Sequence, residues 1–165
     1  MRLFVAVRFS PEIEFALLEV IASLRRDGSG NFTRPENLHL TLAFLGETED
    51  LAGAKDALDE AVSGGPFSLT VGGFGSFNDL LWVGIEENPG LRALALNVQD
   101  ALRRRGFPIE RRSWKPHITV ARQYRGSRPR LAVPNRTMTV SRVSLMKSER
   151  LNGVVTYNEV YRQEL

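Results

Sequence analysis

Cysteine is absent from the sequence, and histidine nearly so: its 165 residues include no cysteine and only His39 and His117. Without thiols, disulfide bracing, thiolate nucleophiles and cysteine-bound metals are excluded. A zinc site ordinarily needs at least three protein ligands, and neither histidine has a carboxylate within its own apolar run, so no metal and no cofactor is expected. No apolar stretch approaches the ~20 residues that a membrane-spanning helix needs, and no membrane partner is expected. The opening Met1-Arg2-Leu3-Phe4-Val5-Ala6-Val7-Arg8 is too short for a secretory leader and reads as a first strand, which fits a cytoplasmic location. There is no Gly-x-Ser-x-Gly nucleophile elbow. Gly72, Gly73 and Gly75 are not followed by the Gly-Lys-Ser/Thr of a phosphate loop, so they read as a bulge or turn. With 42% hydrophobic and 25% charged residues, the chain has the composition of an ordinary soluble globule. Its length suits one domain over residues 1–165 built of two intimate lobes.

What is present is a repeated pattern. Asn37-Leu38-His39-Leu40-Thr41-Leu42-Ala43-Phe44 has a second edition in Lys115-Pro116-His117-Ile118-Thr119-Val120-Ala121-Arg122. Each is a short apolar run rich in strand formers, and each holds a His-x-Thr. Residues two apart on a strand share a face. His39 and Thr41 are therefore expected to point one way and Leu38, Leu40 and Leu42 the other, with His117 and Thr119 opposed to Ile118 and Val120. The apolar faces must pack on helices, leaving an imidazole and a hydroxyl on each polar face. A lone strand histidine is usually structural. Two at matched positions, using every histidine in the chain, point to a shared site.

The formal net charge is only +3, but the charges are segregated. Glu47, Glu49, Asp50, Asp56, Asp59 and Glu60 form an acidic stretch. Arg103, Arg104, Arg105, Arg111, Arg112, Lys115, Arg122, Arg125, Arg128 and Arg130 form a basic one around the second His-x-Thr. That is the footprint expected for a phosphate or polyanion ligand, set against the plainer reading of a solvated surface.

Periodicity supplies the frame. Ser10 and Pro11 start an amphipathic helix through Ile13, Ala16, Leu17, Val20, Ile21 and Leu24, ended by a turn at Gly28-Ser29-Gly30-Asn31. Asp50 starts a second helix with Ala54, Ala57, Leu58, Ala61 and Val62 inward. Pro89 starts a third through Leu91, Leu94, Ala95, Val98, Ala101 and Leu102. Strands are expected over 67–71, 80–85, 138–146 and 154–162, the last two joined by an Asn152-Gly153 hairpin. Residues 126–134 read as an exposed basic linker. The order predicts an α+β fold with mostly antiparallel sheets.

Two histidines facing one groove form an acid/base pair, because a pKa near ~6.5 allows one neutral and one charged imidazole near neutral pH. Threonine hydroxyls and arginines can hold non-bridging phosphate oxygens. The set suits in-line attack on a phosphodiester.

The motifs Pro35-Glu36-Asn37-Leu38-His39-Leu40-Thr41-Leu42-Ala43-Phe44-Leu45-Gly46 and Pro116-His117-Ile118-Thr119-Val120-Ala121-Arg122 resemble those of the two-histidine (2H) phosphoesterase superfamily, in its RNA 2′,3′-cyclic phosphodiesterase (2′–5′ RNA ligase) branch. The start (Arg2 to Val7, then Pro11) and the end (Ser148, Gly153, Tyr157) fit the same branch. The resemblance implies a bilobal α+β fold with helices outside and a central cleft between pseudo-symmetric lobes. It implies hydrolysis of RNA-terminal 2′,3′-cyclic phosphates to 2′-phosphomonoesters, and the reverse 2′–5′ ligation. His39 would be the proton donor and His117 the acceptor. Thr41 and Thr119 would bind phosphate, with Phe44 in base stacking and Arg122 in phosphate contact. Strict alternation would turn Phe44 and Arg122 away from the histidines, so a bend or bulge is required. RNA ends or nucleotides are the implied partners, with no obligate protein partner. The alternatives are a non-catalytic RNA-end or nucleotide-binding module, and a 2H enzyme acting on another cyclic phosphate such as ADP-ribose 1″,2″-cyclic phosphate. The role of Trp114 stays open, with cover for the core as its plainest reading.

Overall fold

The computed structural model describes residues 1–127, 133 and 135–165. Each predicted helix starts where its capping chemistry places it. Ser10 caps α1 (Pro11–Asp27) by accepting from the Ile13 amide, and Asp50 caps α2 (Leu51–Ala61) by accepting from Gly53. Asn88 caps α3 (Pro89–Arg104) through the Leu91 amide. The apolar stripes are the buried faces: Ile13, Ala16, Leu17, Val20, Ile21 and Leu24 of α1 are all inside.

Among the described residues, nine strands form two sheets in which every neighbouring pair is antiparallel. The first sheet orders β3 (Leu40–Glu47), β1 (Arg2–Val7), β8 (Arg142–Leu151) and β9 (Val154–Glu164). The second orders β2 (Gly28–Phe32), β6 (Ile118–Gly126), β5 (Leu80–Ile85), β4 (Phe67–Phe77) and β7 (Arg136–Val140). Helix α1 packs on the second sheet through β2, β6 and β7, and α2 packs on the first through β8 and β9. Helix α3 lies against α2 and touches β3 and β4, one strand from each sheet. One apolar cluster runs from Leu3 and Val5 through Leu58, Val98 and Leu102 to Val83, Ile118 and Val120. The result is an α+β molecule of two lobes with helices on the outer side of each sheet.

Three expectations are revised. Residues 28–31 are not a turn but belong to strand β2, which pairs with β6. Gly28 and Gly30 are there because the β6 backbone runs so close that a Cβ on either would crowd the Arg125 or Arg122 carbonyl oxygen. The run 138–146 is not one strand: it breaks at Ser141, with β7 in the second sheet and β8 in the first. The alternation reads straight through because both halves are pleated, so the change of sheet leaves no compositional mark. The bulge expected at the glycines of residues 72–75 is present, between Val71 and Phe74, and β4 continues through it. Both histidines stand immediately before their strands, since β3 starts at Leu40 and β6 at Ile118. Of the expected basic linker, residues 128–132 and 134 lie outside the described residues.

Candidate active site

A short 3-10 turn, Pro35–Asn37, delivers the chain to His39. The His39 Nδ1 lies 2.7 Å from the Asn37 carbonyl oxygen, and the His117 Nδ1 lies 2.7 Å from the Lys115 carbonyl oxygen. A carbonyl can only accept, so each Nδ1 carries its hydrogen and each Nε2 is the nitrogen that exchanges protons. The Nε2 of His39 is 2.9 Å from the Thr41 hydroxyl, so the two share a face. The Asn37 side chain is itself clamped: its amide donates to Val155 O at 3.0 Å and its Oδ1 accepts from the Tyr157 amide at 3.3 Å. No such clamp holds Lys115 among the described residues.

Register fixes what else shares those faces, because directly paired residues point the same way. In the first sheet Thr41 pairs with Ala6, and Phe4 pairs with both Phe44 and Met146. Phe4, Ala6 and Met146 with Tyr157 form a small apolar floor separate from the main core. In the second sheet Thr119 pairs with Trp82, and Trp82 with Gly75, so Phe77 two residues on belongs to the same wall.

The required bulge is present in both halves. Ala6 pairs with Thr41 but Val5 pairs with Ala43, leaving Leu42 as the extra residue. Trp82 pairs with Thr119 but Leu81 pairs with Ala121, leaving Val120 extra. Both lie three residues after their histidine, and both turn the following side chain. Phe44 is 65% exposed with its ring 6.2 Å from Phe4, on the His39 side, and Arg122 is exposed. The displaced carbonyls are satisfied elsewhere: Leu42 O accepts from the buried Gln99 amide at 2.9 Å, and Val120 O from the Thr33 backbone N–H at 3.0 Å.

The two walls meet electrostatically. Burial pushes His39 below the ordinary histidine pKa, partly offset by the Asn37 carbonyl. The positive charges of Arg122, His117 and Arg8 push it down further. Arg122 and His117 belong to the second-sheet half of the molecule and His39 to the first, so the two halves lie within electrostatic range of each other at His39. Aromatic rings surround both imidazoles: Phe4 and Tyr157 lie 4.9 and 5.2 Å from His39, and Phe77 lies 5.2 Å from His117.

The walls are also cross-braced. Trp114 donates its indole N–H to Thr41 O at 3.1 Å, and Thr33 donates its hydroxyl to Thr119 O at 2.9 Å. The segment before each histidine thus holds the backbone carbonyl of the threonine in the other motif. Trp114 therefore does more than cover the core, and it was singled out in the sequence without this role. Thr33, Gln99 and Arg8 carried no signal at all, since each acts through a partner distant in sequence.

The basic stretch divides. Arg105 pairs with Asp56 and Glu60 of α2, Arg103 with Asp100 within α3, and Arg112 with Glu110 in the loop that follows α3. Arg122 lies within electrostatic range of His39, and Arg128 and Arg130 lie outside the described residues. A cavity of about 320 Å³ beside the start of α1 is lined by Arg8, Ser10, Thr139 and Arg142, and by none of the motif residues. Among the described residues no three His, Asp or Glu side chains gather as a metal site. Two half-buried imidazoles whose Nδ1 atoms are tied to backbone carbonyls, with two hydroxyls and an arginine, are groups that can bind an anionic centre and move protons.

The 2′-5′ RNA ligase superfamily model matches residues 11–152 of this chain. An RNA 2′,3′-cyclic phosphodiesterase of Archaeoglobus fulgidus is 36% identical over 129 residues, covering 74% of this chain and 72% of that protein. A Thermus thermophilus protein has a crystal structure that superposes with a TM-score of 0.85 at 27% identity, covering 100% of this chain and 98% of that one. Escherichia coli LigT complexed with 3′-AMP superposes with a TM-score of 0.80 at 28% identity, covering 99% and 96%.

Proposed function

The chain belongs to the 2′-5′ RNA ligase superfamily, and from that premise we propose that it opens RNA-terminal or nucleoside 2′,3′-cyclic phosphates to 2′-phosphomonoesters by metal-independent two-histidine catalysis. His39 donates a proton from Nε2 to the departing 3′-oxygen. His117 accepts a proton at Nε2 from the attacking water. Thr41, Thr119 and Arg122 hold the non-bridging oxygens, and Phe44 stacks on the base. The observation that carries this reading is the pair of imidazoles whose Nδ1 hydrogens are both committed to backbone carbonyls, leaving the two Nε2 atoms for chemistry.

The depressed pKa of His39 fits a substrate-loaded acid. In the free protein burial, Arg122, His117 and Arg8 disfavour its imidazolium. A bound phosphate brings negative charge against the same arginine and imidazoles, and so favours the proton that His39 must give. The cyclic phosphate ring loses its P–O3′ bond, the water oxygen takes the new bond to phosphorus, and the proton count balances across the two histidines.

The test is turnover of adenosine 2′,3′-cyclic phosphate followed by phosphorus NMR. General acid or base loss costs about 10²- to 10⁴-fold, so His39→Ala and His117→Ala are each expected to drop by that range. Wild type should yield the 2′-phosphate and keep its rate in excess EDTA. Rate loss with chelator, or a 3′-phosphate product, contradicts the proposal. If ADP-ribose 1″,2″-cyclic phosphate is turned over and RNA-type ends are not, the second phosphoesterase reading replaces it. Ligand recovered intact would favour a binding module.

A further inference from the structure

The proposed reaction leaves one exposed aromatic side chain on the cleft wall without a role. Phe77 is 40% exposed on the same face of the second sheet as Trp82 and Thr119. Its ring stands edge-on to His117 at 5.2 Å with an interplanar angle of 83°, and rests on Trp82 at 5.5 Å. Trp82 is pinned beneath it, because its six-membered ring lies so close to Gly75 that a Cβ there would overlap it. Phe77 thus sits on a backed platform with a free face. Phe44, 65% exposed, occupies the His39 wall.

The two phenylalanines stand beside histidines of opposite duty. The leaving 3′-oxygen stays with the nucleoside of the cyclic phosphate, so that nucleoside belongs to the His39 and Phe44 side. The nucleophile is activated by His117, so whatever carries it belongs to the His117 and Phe77 side. Water needs no platform there; a nucleoside does, because a base stacks on an exposed ring whatever its sequence.

We propose that Phe77 is the binding subsite for the base of a second nucleoside, the one that brings a 5′-hydroxyl to the cyclic phosphate. The inference rests on the two-histidine reading above. In the step, the 5′-oxygen forms a bond to phosphorus while the P–O3′ bond breaks. His117 takes the 5′-hydroxyl proton and His39 supplies one to the 3′-oxygen, giving a 2′–5′ phosphodiester. Run backward, the same step cleaves a 2′–5′ linkage. Phe77 then sets how the cyclic phosphate partitions between water and a nucleoside alcohol.

The experiment supplies adenosine 2′,3′-cyclic phosphate with excess adenosine, or with methanol as an alcohol lacking a base, and measures the ratio of diester to 2′-monophosphate. Phe77→Ala is expected to lower the adenosine diester-to-monophosphate ratio about tenfold, the order of one base stack. It should leave the methanol ratio within about twofold, and Phe77→Tyr should restore the adenosine ratio. Phe77→Leu, which keeps apolar cover over Trp82, should behave as Phe77→Ala. Equal adenosine ratios in wild type and Phe77→Ala overturn the proposal, as does a parallel fall with methanol, or absence of any adenosine diester from a wild type that still hydrolyses the cyclic phosphate. A wild type that opens no cyclic phosphate removes the underlying reading instead.

Discussion

His39 and His117 make the same backbone contact through Nδ1 but live in different surroundings. His39 is wrapped by Phe4, Tyr157 and the clamped Asn37 turn, with three cationic groups in range. Removing one of those charges has a signed effect. Arg122→Gln should raise the His39 pKa in the free protein, read from the proton NMR titration of the imidazole, while weakening phosphate binding; an unmoved titration would place Arg122 away from His39. The same residue has a stability consequence. With its folded pKa below the ordinary ~6.5, His39 takes up its proton more readily in the unfolded chain. Its favourable contribution is complete above about pH 6.5 and is lost as pH falls toward and through the folded pKa. Denaturant midpoints between pH 7 and pH 5 should therefore fall more for wild type than for His39→Asn. An equal fall in both would mean that burial of this imidazole carries no such penalty.

At the scale of elements, the motif strands work because each is bent at the same place and tied to the other. The sequence made the helices readable, since capping residues and apolar stripes lie within one segment, and the His-x-Thr alternation held from His39 to Thr41. Three features were not readable. A bulge near each strand end is required by Phe44 and Arg122, but its place at Leu42 and Val120 is hidden, because these are ordinary apolar residues with neither glycine nor proline to mark them. Strand β2 hides in Gly28-Ser29-Gly30-Asn31 because close approach to β6 and turn formation call for the same small residues. The cross-brace joins Trp114 to Thr41 O and Thr33 to Thr119 O over long separations. Trp114→Phe and Thr33→Val each remove one donor while keeping the bulk, at a stability cost of about 1 kcal/mol. Misplacing catalytic groups by a fraction of an ångström is the larger penalty. We therefore expect kcat for cyclic phosphate opening to fall about tenfold in either variant, with KM changed less. The His39 titration should move up as the two imidazoles relax apart. A lowered melting temperature with unaltered kcat and titration would reduce the brace to a structural contact.

At the scale of the molecule, the cleft exists only if the two sheets hold a fixed spacing, and under the proposed function each lobe would supply one of the two proton-transfer groups. The apolar cluster is continuous from Leu3 in the first sheet to Val83 and Ile118 in the second, and α3 touches a strand of each. A chain whose lobes share one core should unfold as a unit, because neither sheet can lose its cover without exposing the other. We infer that residues 1–165 behave as one domain in this sense. The two histidines make convenient reporters, one on each wall, so their native imidazole NMR signals should vanish at the same urea concentration and together with the helical circular dichroism. Leu102 on α3 is fully buried between the layers. Its truncation to Ala should cost about 2–5 kcal/mol and shift both histidine transitions equally. Separate midpoints for His39 and His117, or a Leu102→Ala effect confined to one of them, would show that the lobes are independent and that the spacing of the imidazoles is maintained by the cross-brace alone.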